Sequence, residues 1–339
     1  MNDRIFGRLG WRVSEIGHGM WGMANWSGSD DECSRRALDE SVRLGCNFFD
    51  SAWAYGEGHS DRLLGGLVRA HPDSRLYTAS KVPPANRQWP SRREFAIDDV
   101  FPSKHIREYT DRILTHLDLE RVDLMQFHVW EDSWVRDDGW QRTVSDLRDE
   151  GRIGGAGISI NRWEPWNGLD TVRSGVVDAV QVIYNIFDQS AEDELLPLCQ
   201  EHNVAVIARV PFDEGSLTGA LSMQSRWPDG DFRRTYFGGE NLGETVRRVE
   251  ELRGLAHDRS AAPARRAEPG DAAAPESLAA MALRFILGHP AVSTVIPGMR
   301  SISHVRENIA ASEAGPLSDA LMDALRRHRW DRSPTAWSH

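Results

Sequence analysis

Short apolar runs alternate with longer amphipathic ones along this chain. Val13–Gly19, Asn47–Asp50, Leu76–Lys81, Asp123–His128, Ala156–Ser159, Ala179–Val182, Val204–Arg209 and Ser293–Ile296 read as eight strands. Between them apolar residues recur at helical spacing. Ile106, Tyr109, Ile113 and Leu117 form one stripe within Ser103–Leu117, and Leu278, Met281, Ala282 and Phe285 form another within Ser277–Leu287. Asp30 is placed to cap a helix that begins near Glu32. Strands alternating with helices imply a parallel sheet. Eight such units in 339 residues predict an α/β fold, a closed (β/α)8 TIM barrel, with an open doubly wound sheet as the competing arrangement. The opening segment RIFGRLGWRVSEIG predicts a short N-terminal β-hairpin with Leu9-Gly10-Trp11 at its turn. From Ala256 to Pro275 the pattern lapses: eight of twenty residues are Ala and three are Pro. That stretch reads as a flexible insertion within a single barrel domain spanning 1–339, because a helix and a strand still follow it.

Composition narrows the function. With 40 basic and 51 acidic residues the net charge is −11, which argues against a nucleic-acid or anionic-membrane surface while leaving room for a local basic pocket. Cys33, Cys46 and Cys199 are odd in number and contain no Cys-x-x-Cys, so they read as reduced thiols of a cytoplasmic protein. The N-terminus lacks a signal-peptide core, and no stretch reaches the ~18 apolar residues of a membrane span. The oligomeric state stays open. Only Lys81 and Lys104 among the 40 basic residues are lysines, so arginine carries the ordinary surface charge and each lysine invites a reason.

Gly17–Gly22, GHGMWG, matches G-x-G-x-x-G, but a polar loop rather than a helix follows it, and the match reads as chance. Polar residues at strand ends are more informative. Asp50, Lys81, His128 and Ser159 close the second to fifth strands, and in a barrel these ends share one rim. Tyr55 lies just beyond Asp50. Taken singly, each has a plain structural reading as a cap, a surface phenol or a hydrogen-bonded histidine. Taken together they have complementary roles. A nearby ammonium lowers a phenol's pKa from ~10, a carboxylate keeps that ammonium charged, and a histidine can donate to a carbonyl oxygen. This is the acid half of a carbonyl reduction; side chains cannot supply the hydride, so a nicotinamide cofactor is implied. Trp21, Trp26, Trp53, Trp89, Trp130 and Trp134 follow the first four strands and suit a pocket for a hydrophobic carbonyl compound or the apolar face of a sugar.

From VSEIGHGMWGM to VIPGMRSISHVRENIAAS the chain resembles the aldo-keto reductase family, and FFDSAWAYGEGHSDRLLGGLV resembles that family's signature. The resemblance implies reduction of an aldehyde, ketone or sugar carbonyl with NADPH, performed by a tetrad that falls on Asp50, Tyr55, Lys81 and His128, with Tyr55 as proton donor. Cofactor contacts are implied for Gly19, Met20 and Trp21 near the ribose, for Asp50, for Ser159 and Gln181 at the carboxamide, and for Tyr184 as a platform under the nicotinamide. The loop VPFDEGSLTG is implied beside the pyrophosphate, through Val210, Pro211, Phe212, Gly215 and Leu217. Gly298, Arg300, His304, Glu307 and Asn308 are implied as the phosphate and adenine clamp. A guanidinium at Arg300 would grip a 2′-phosphate and favour NADP+/NADPH. The substrate pocket would be lined by Trp21, Trp53, Tyr55, Trp89, His128 and Trp130, with no metal. Two departures stand out. Ser159 is followed by Ile160, with Asn161 one place later, where the family usually has Ser-Asn. Val210-Pro211-Phe212 replaces the common Ser-Pro-Leu, which removes a hydroxyl contact at Val210. The alternatives are a non-catalytic NADP(H)-binding regulatory subunit, like the family's channel-associated members, and a metal-dependent barrel hydrolase, for which the rim offers mainly one His and one Asp.

Overall fold

The computed structural model describes residues 1–24, 28–257 and 277–332. Its strands are β1 (Asp3–Phe6), β2 (Trp11–Ser14), β3 (His18–Gly19), β4 (Phe48–Asp50), β5 (Tyr77–Val82), β6 (Val122–Phe127), β7 (Ile153–Ser159), β8 (Ala179–Ile183), β9 (Ala205–Arg209) and β10 (Val292–Val295). β1 and β2 pair antiparallel, from Phe6 opposite Trp11 to Asp3 opposite Ser14. β3 to β10 form one parallel sheet in chain order. Its edges meet through bridges between Ile16 and Val295 and between Gly19 and Gly298. Gly17 N donates to Val295 O at 2.8 Å and Gly19 N to Pro297 O at 3.0 Å, closing the barrel.

The run Val13–Gly19, read from sequence as one strand, is divided. Val13 and Ser14 finish the hairpin, and His18 and Gly19 join the barrel as a strand, with Ile16 bridged to its last strand. The crossing between them is pinned by side chains. Ser14 N donates to Asn47 Oδ1 at 2.7 Å, and the Glu15 carboxylate receives Arg4 Nε at 2.9 Å and Ser312 Oγ at 2.7 Å. The hairpin turn runs through Gly7–Leu9 to Gly10, whose φ of 67° is the left-handed conformation a glycine takes without Cβ strain.

The hairpin seals one end of the barrel. Phe6 stacks on Phe48 at 5.3 Å and on Trp11 at 5.4 Å, and Trp11 stacks on Tyr77 at 5.2 Å. Val13, Leu124, Ala205 and Ile207 complete this apolar plug. Polar chemistry is thereby confined to the other end, where the strands' C-termini lie. Around the sheet, Asp30 caps the helix Asp31–Arg43 by accepting from Cys33 N at 2.8 Å. The helix Ser103–Leu117 buries Ile106, Ile113 and Leu117 as their spacing predicts. Ser277 caps Leu278–Leu287. Of the stretch 256–275, the first two residues end the helix Asn241–His257, and the remainder lies outside the described residues. Among the described residues no helix is long and apolar enough to cross a membrane.

Packing between the helices His59–Ala70 and Ser103–Leu117 rests on one missing side chain. A Cβ added to Gly65 would lie 2.0 Å from Leu117 O, whereas one added to Gly66 meets nothing within 4 Å. Gly65→Ala is therefore expected to force the helices apart and cost about 2 kcal/mol or more. Gly66→Ala, one residue away, should stabilise by about 0.5–1 kcal/mol through backbone entropy and helix propensity. Urea midpoints of the two variants check the opposite signs.

Candidate active site

The site is built from consecutive strand ends. Asp50 closes β4, Lys81 lies near the end of β5, His128 follows β6, Ser159 closes β7, and Arg209 closes β9. Asp50 pairs in register with Ala79, two residues before Lys81, so Lys81 shares the inward face of the barrel and stands one step above it. Its side chain is fully buried. The ammonium donates to Asp50 Oδ2 at 2.6 Å, Ser51 O at 2.8 Å and Tyr55 Oη at 3.3 Å, which uses all three of its hydrogens. The other Asp50 oxygen accepts from Gln126 Nε2 at 3.1 Å and Gln181 Nε2 at 2.9 Å, and Gln181 also donates to Gln126 Oε1 at 3.2 Å. Gln126 was not foreseen from sequence. Its signal was parity, because it lies on β6 two residues before His128, which follows that strand directly, and so keeps the same inward phase.

These contacts set the charges. Burial alone would lower the Lys81 pKa, but the Asp50 charge and the Tyr55 oxygen outweigh it and the net shift is upward. Burial also pushes the Tyr55 phenol above its ordinary value. The Lys81 charge pulls it back only in part, and the Asp50 charge adds to the rise. The expectation of a phenol made acidic by its neighbour is thus corrected, since enclosure of the phenolic end outweighs the single ammonium. At neutral pH Tyr55 holds its proton. His128 is pushed well below its usual range, first by burial and then by the charges of Lys81 and Arg209, so its imidazole is neutral. Its Nδ1 is buried and has no hydrogen-bond partner among the described residues. The His128 ring meets Tyr55 edge-on at 5.6 Å and Trp89 at 4.5 Å.

The remaining expected site residues divide. Trp89 and Trp21 are exposed, Trp89 against His128 and Trp21 tilted on Phe232 at 5.3 Å, and both suit a pocket wall. Trp53 packs into the helix layer instead, against Tyr109 at 5.4 Å and His116 at 4.7 Å. Trp130 is wholly buried among Phe127, Trp134 and Trp140, and its indole donates to Thr171 Oγ1 at 2.9 Å, so it is a core residue and not a pocket wall. Trp134 is likewise buried, and Trp26 lies outside the described residues. Tyr184 does not face the site. Its hydroxyl donates to Glu192, and its ring packs on Phe285 and His289 at 5.7 and 5.9 Å. Gln181 faces inward, and Tyr184, three positions on and just past the end of β8, continues on the outward phase. Asn161 is occupied elsewhere, donating to Ser91 Oγ at 2.9 Å and Glu164 Oε2 at 3.1 Å.

Met20 is buried, with its backbone N donating to Asp50 O at 3.0 Å, and Gly19 is bridged to Gly298. Ser159 is buried at the rim. Beyond β9, Gly215 N and Leu217 N both donate to Phe212 O, at 2.9 and 3.0 Å, and fold the loop after Pro211 into a compact turn. Val210 and Glu214 there have φ of 54° and 55°. Arg300, His304 and Glu307 are exposed at the start of the helix Ile302–Glu313, and Asn308 is buried on it. A charged network unforeseen from sequence holds this side of the rim. Arg162 pairs with Glu214 and donates to Tyr236 Oη at 3.2 Å. Tyr236 donates to Asp213 Oδ1 at 2.5 Å, and Arg332 reaches Tyr236 Oη at 2.6 Å and Asp213 Oδ1 at 2.9 Å.

The sequence profile of the Aldo/keto reductase family matches residues 15–329. The chain is 30% identical over 327 residues to the oxidoreductase Rv2298 of Mycobacterium tuberculosis, covering 94% of this chain and 91% of that protein. It is 24% identical over 332 residues to the NADH-specific methylglyoxal reductase of Escherichia coli, covering 93% and 94%. Among solved structures, the holo form of aldo-keto reductase AKR11C1 from Bacillus halodurans matches with a TM-score of 0.73 and 25% identity, across the full length of both chains.

Two neutral histidines, His18 fully buried and His128 half-buried, give the fold a pH dependence. His18 on β3 is fully buried, accepts or donates at Nδ1 to Ser41 Oγ at 2.8 Å, and is pushed down to about 4 by burial. His128 shifts the same way. Each is easier to protonate in the unfolded chain, so the stability it contributes is complete above pH ~6.5 and is lost as pH falls below that value. His18 alone should account for about 3 kcal/mol by pH 4. Urea unfolding at a series of pH values is expected to show this fall, with a shallower slope in His18→Gln.

Proposed function

Because this chain belongs to the aldo/keto reductase family, we propose that it reduces an aldehyde or ketone, sugar carbonyls included, to the alcohol, with NADPH as hydride source and Tyr55 as proton donor. The observation that carries this reading is the Lys81 ammonium held between the Asp50 carboxylate and the Tyr55 hydroxyl. The residues present fit a nicotinamide dinucleotide. His128 Nδ1 and Arg209 Nε are buried and unpartnered at the rim. Gly298 is exposed and leaves space that a Cβ would fill without contact. Arg300 stands immediately before a helix N-terminus, a pairing suited to a phosphate.

When bound, the reduced nicotinamide supplies a hydride, two electrons with one hydrogen nucleus, to the carbonyl carbon. The protein does the rest. Tyr55 keeps its proton until negative charge develops on the carbonyl oxygen, and then transfers it there. Lys81 stabilises the phenolate left behind, and its own position is fixed by Asp50, which Gln126 and Gln181 hold in turn. His128, being neutral, offers an N–H to the same oxygen and orients the substrate. Trp89 and Trp21 wall the approach with aromatic surface suited to an apolar carbonyl compound or a sugar face. The preference for NADPH rests on Arg300, since the Escherichia coli relative is named for NADH.

Tyr55→Phe keeps the ring and loses the donor. Turnover with a panel of aldehydes and ketones is expected to fall about 10²–10⁴-fold, while NADPH still quenches the protein's tryptophan fluorescence with unchanged affinity. Full turnover in this variant would sink the mechanism. Arg300→Ala should weaken NADPH binding about 10–100-fold and leave NADH nearly unaffected, the loss matching a charge-assisted contact. Equal effects on the two coenzymes would remove the case for the 2′-phosphate.

A further inference from the structure

Arg209 is a rim charge that the mechanism above does not use. In the register of β8 and β9, Gln181 lies opposite Ile207 and Ile183 opposite Arg209. Gln181 faces the barrel interior, where it reaches Asp50, and Ile207 belongs to the apolar plug. Arg209, two residues further on, keeps that inward phase. Its Nη2 donates to Ile160 O at 2.9 Å, which carries the guanidinium across the end of β8 towards β7 and over the barrel mouth. Its Nε is buried without a hydrogen-bond partner among the described residues. The neighbouring Glu214 carboxylate is already committed to Arg162. The groups that feel Arg209 are those of the site: Tyr55, Asp50, His128, Arg162 and Glu214. A half-buried guanidinium with a buried Nε and no carboxylate of its own is costly to maintain.

We propose that Arg209 sets the relative affinity for the two redox forms of the coenzyme, favouring the reduced form. The inference rests on the proposed function. A reduced nicotinamide ring is neutral, and an oxidised one is a cation. Any ring able to react beside Tyr55 and His128 lies in the field of Arg209, in surroundings where charges are poorly screened. Once the carbonyl had taken the hydride at carbon and the Tyr55 proton at oxygen, the positive charge left on the ring would lie in the field of the Arg209 guanidinium. The oxidised coenzyme is thereby loosened while the reduced one is not, and the balance tilts towards carbonyl reduction and release of product coenzyme.

NADPH and NADP+ share every phosphate and both riboses, so the ratio of their dissociation constants isolates the ring charge. It is read by tryptophan quenching and calorimetry on the wild type, Arg209→Lys, Arg209→Met and Arg209→Gln. The wild type is expected to bind NADPH at least tenfold more tightly than NADP+. Arg209→Lys should keep that ratio. Arg209→Met and Arg209→Gln should each reduce it at least fivefold, mainly by tightening NADP+. A wild-type ratio near one overturns the proposal without recourse to any variant, and so does an unchanged ratio in either neutral variant. A wild type that binds neither form fails the functional reading itself, an outcome distinct from both.

Discussion

The site depends on a single ammonium buried at the centre of the barrel mouth. Lys81 has no exposure to water, and its three hydrogens go to a carboxylate, a carbonyl and a phenol. An isolated charge in that place would be expelled or neutralised. It is retained because Asp50 is delivered to it by strand register and because Asp50 is itself held by two glutamines from β6 and β8. Four strands thus converge on one ion pair. Removing either partner would leave the other charge buried alone, a penalty of about 3–5 kcal/mol. The placing of the Tyr55 hydroxyl and the integrity of the barrel's upper layer are therefore the same constraint seen from two sides.

The barrel's two ends divide the work. Below, aromatic stacking of Phe6, Trp11, Phe48 and Tyr77 shuts out water with apolar surface alone. Above, the loop after β9 is held in a conformation its residues do not prefer. Val210, Asp213 and Glu214 all have positive φ, and for β-branched Val210 that is a strained backbone. Such strain, on the order of 1–3 kcal/mol per residue, persists only where the surroundings over-determine it. Here they do. Asp213 is tied to Ser216, Tyr236 and Arg332, and Glu214 to Arg162. The last described residue of the chain, Arg332, thereby reaches back to the loop beside the site.

Much of this was legible in the sequence, for identifiable reasons. The strands emerged because each is a short apolar run between polar punctuation, and Asp50, Lys81 and His128 could be grouped because they lie at the ends of consecutive strands, with Tyr55 on the loop after the first. What failed turned on phase and on sums. In a strand a shift of one residue moves a side chain to the opposite face. Tyr184 lies on the outward phase and Arg209 on the inward one, although the aromatic residue had looked the better partner for a planar ring. Trp130 follows a strand as Trp89 does, yet its loop turns back into the core, and no local pattern separates the two. The direction of the Tyr55 shift could not be read from its neighbours' identities. It is a difference between enclosure and attraction, and enclosure is known only once the chain is folded.

The net charge of −11 bears on how such a site would meet a coenzyme that is itself a polyanion. At long range the protein as a whole repels it. In physiological salt that repulsion is cut off beyond a screening length of about 8 Å, so approach is governed by the charges near the mouth. With Lys81 paired to Asp50, the cations left there are Arg209 on the rim and Arg300 before a helix N-terminus whose dipole has the same sign. Arginines at the mouth of a chain with a net negative charge would favour an anionic ligand there over adhesion elsewhere. The same arrangement makes the mouth a poor host for a second positive charge. In the proposed reading, attraction to a coenzyme's phosphates and aversion to its oxidised ring would both follow from one charge distribution.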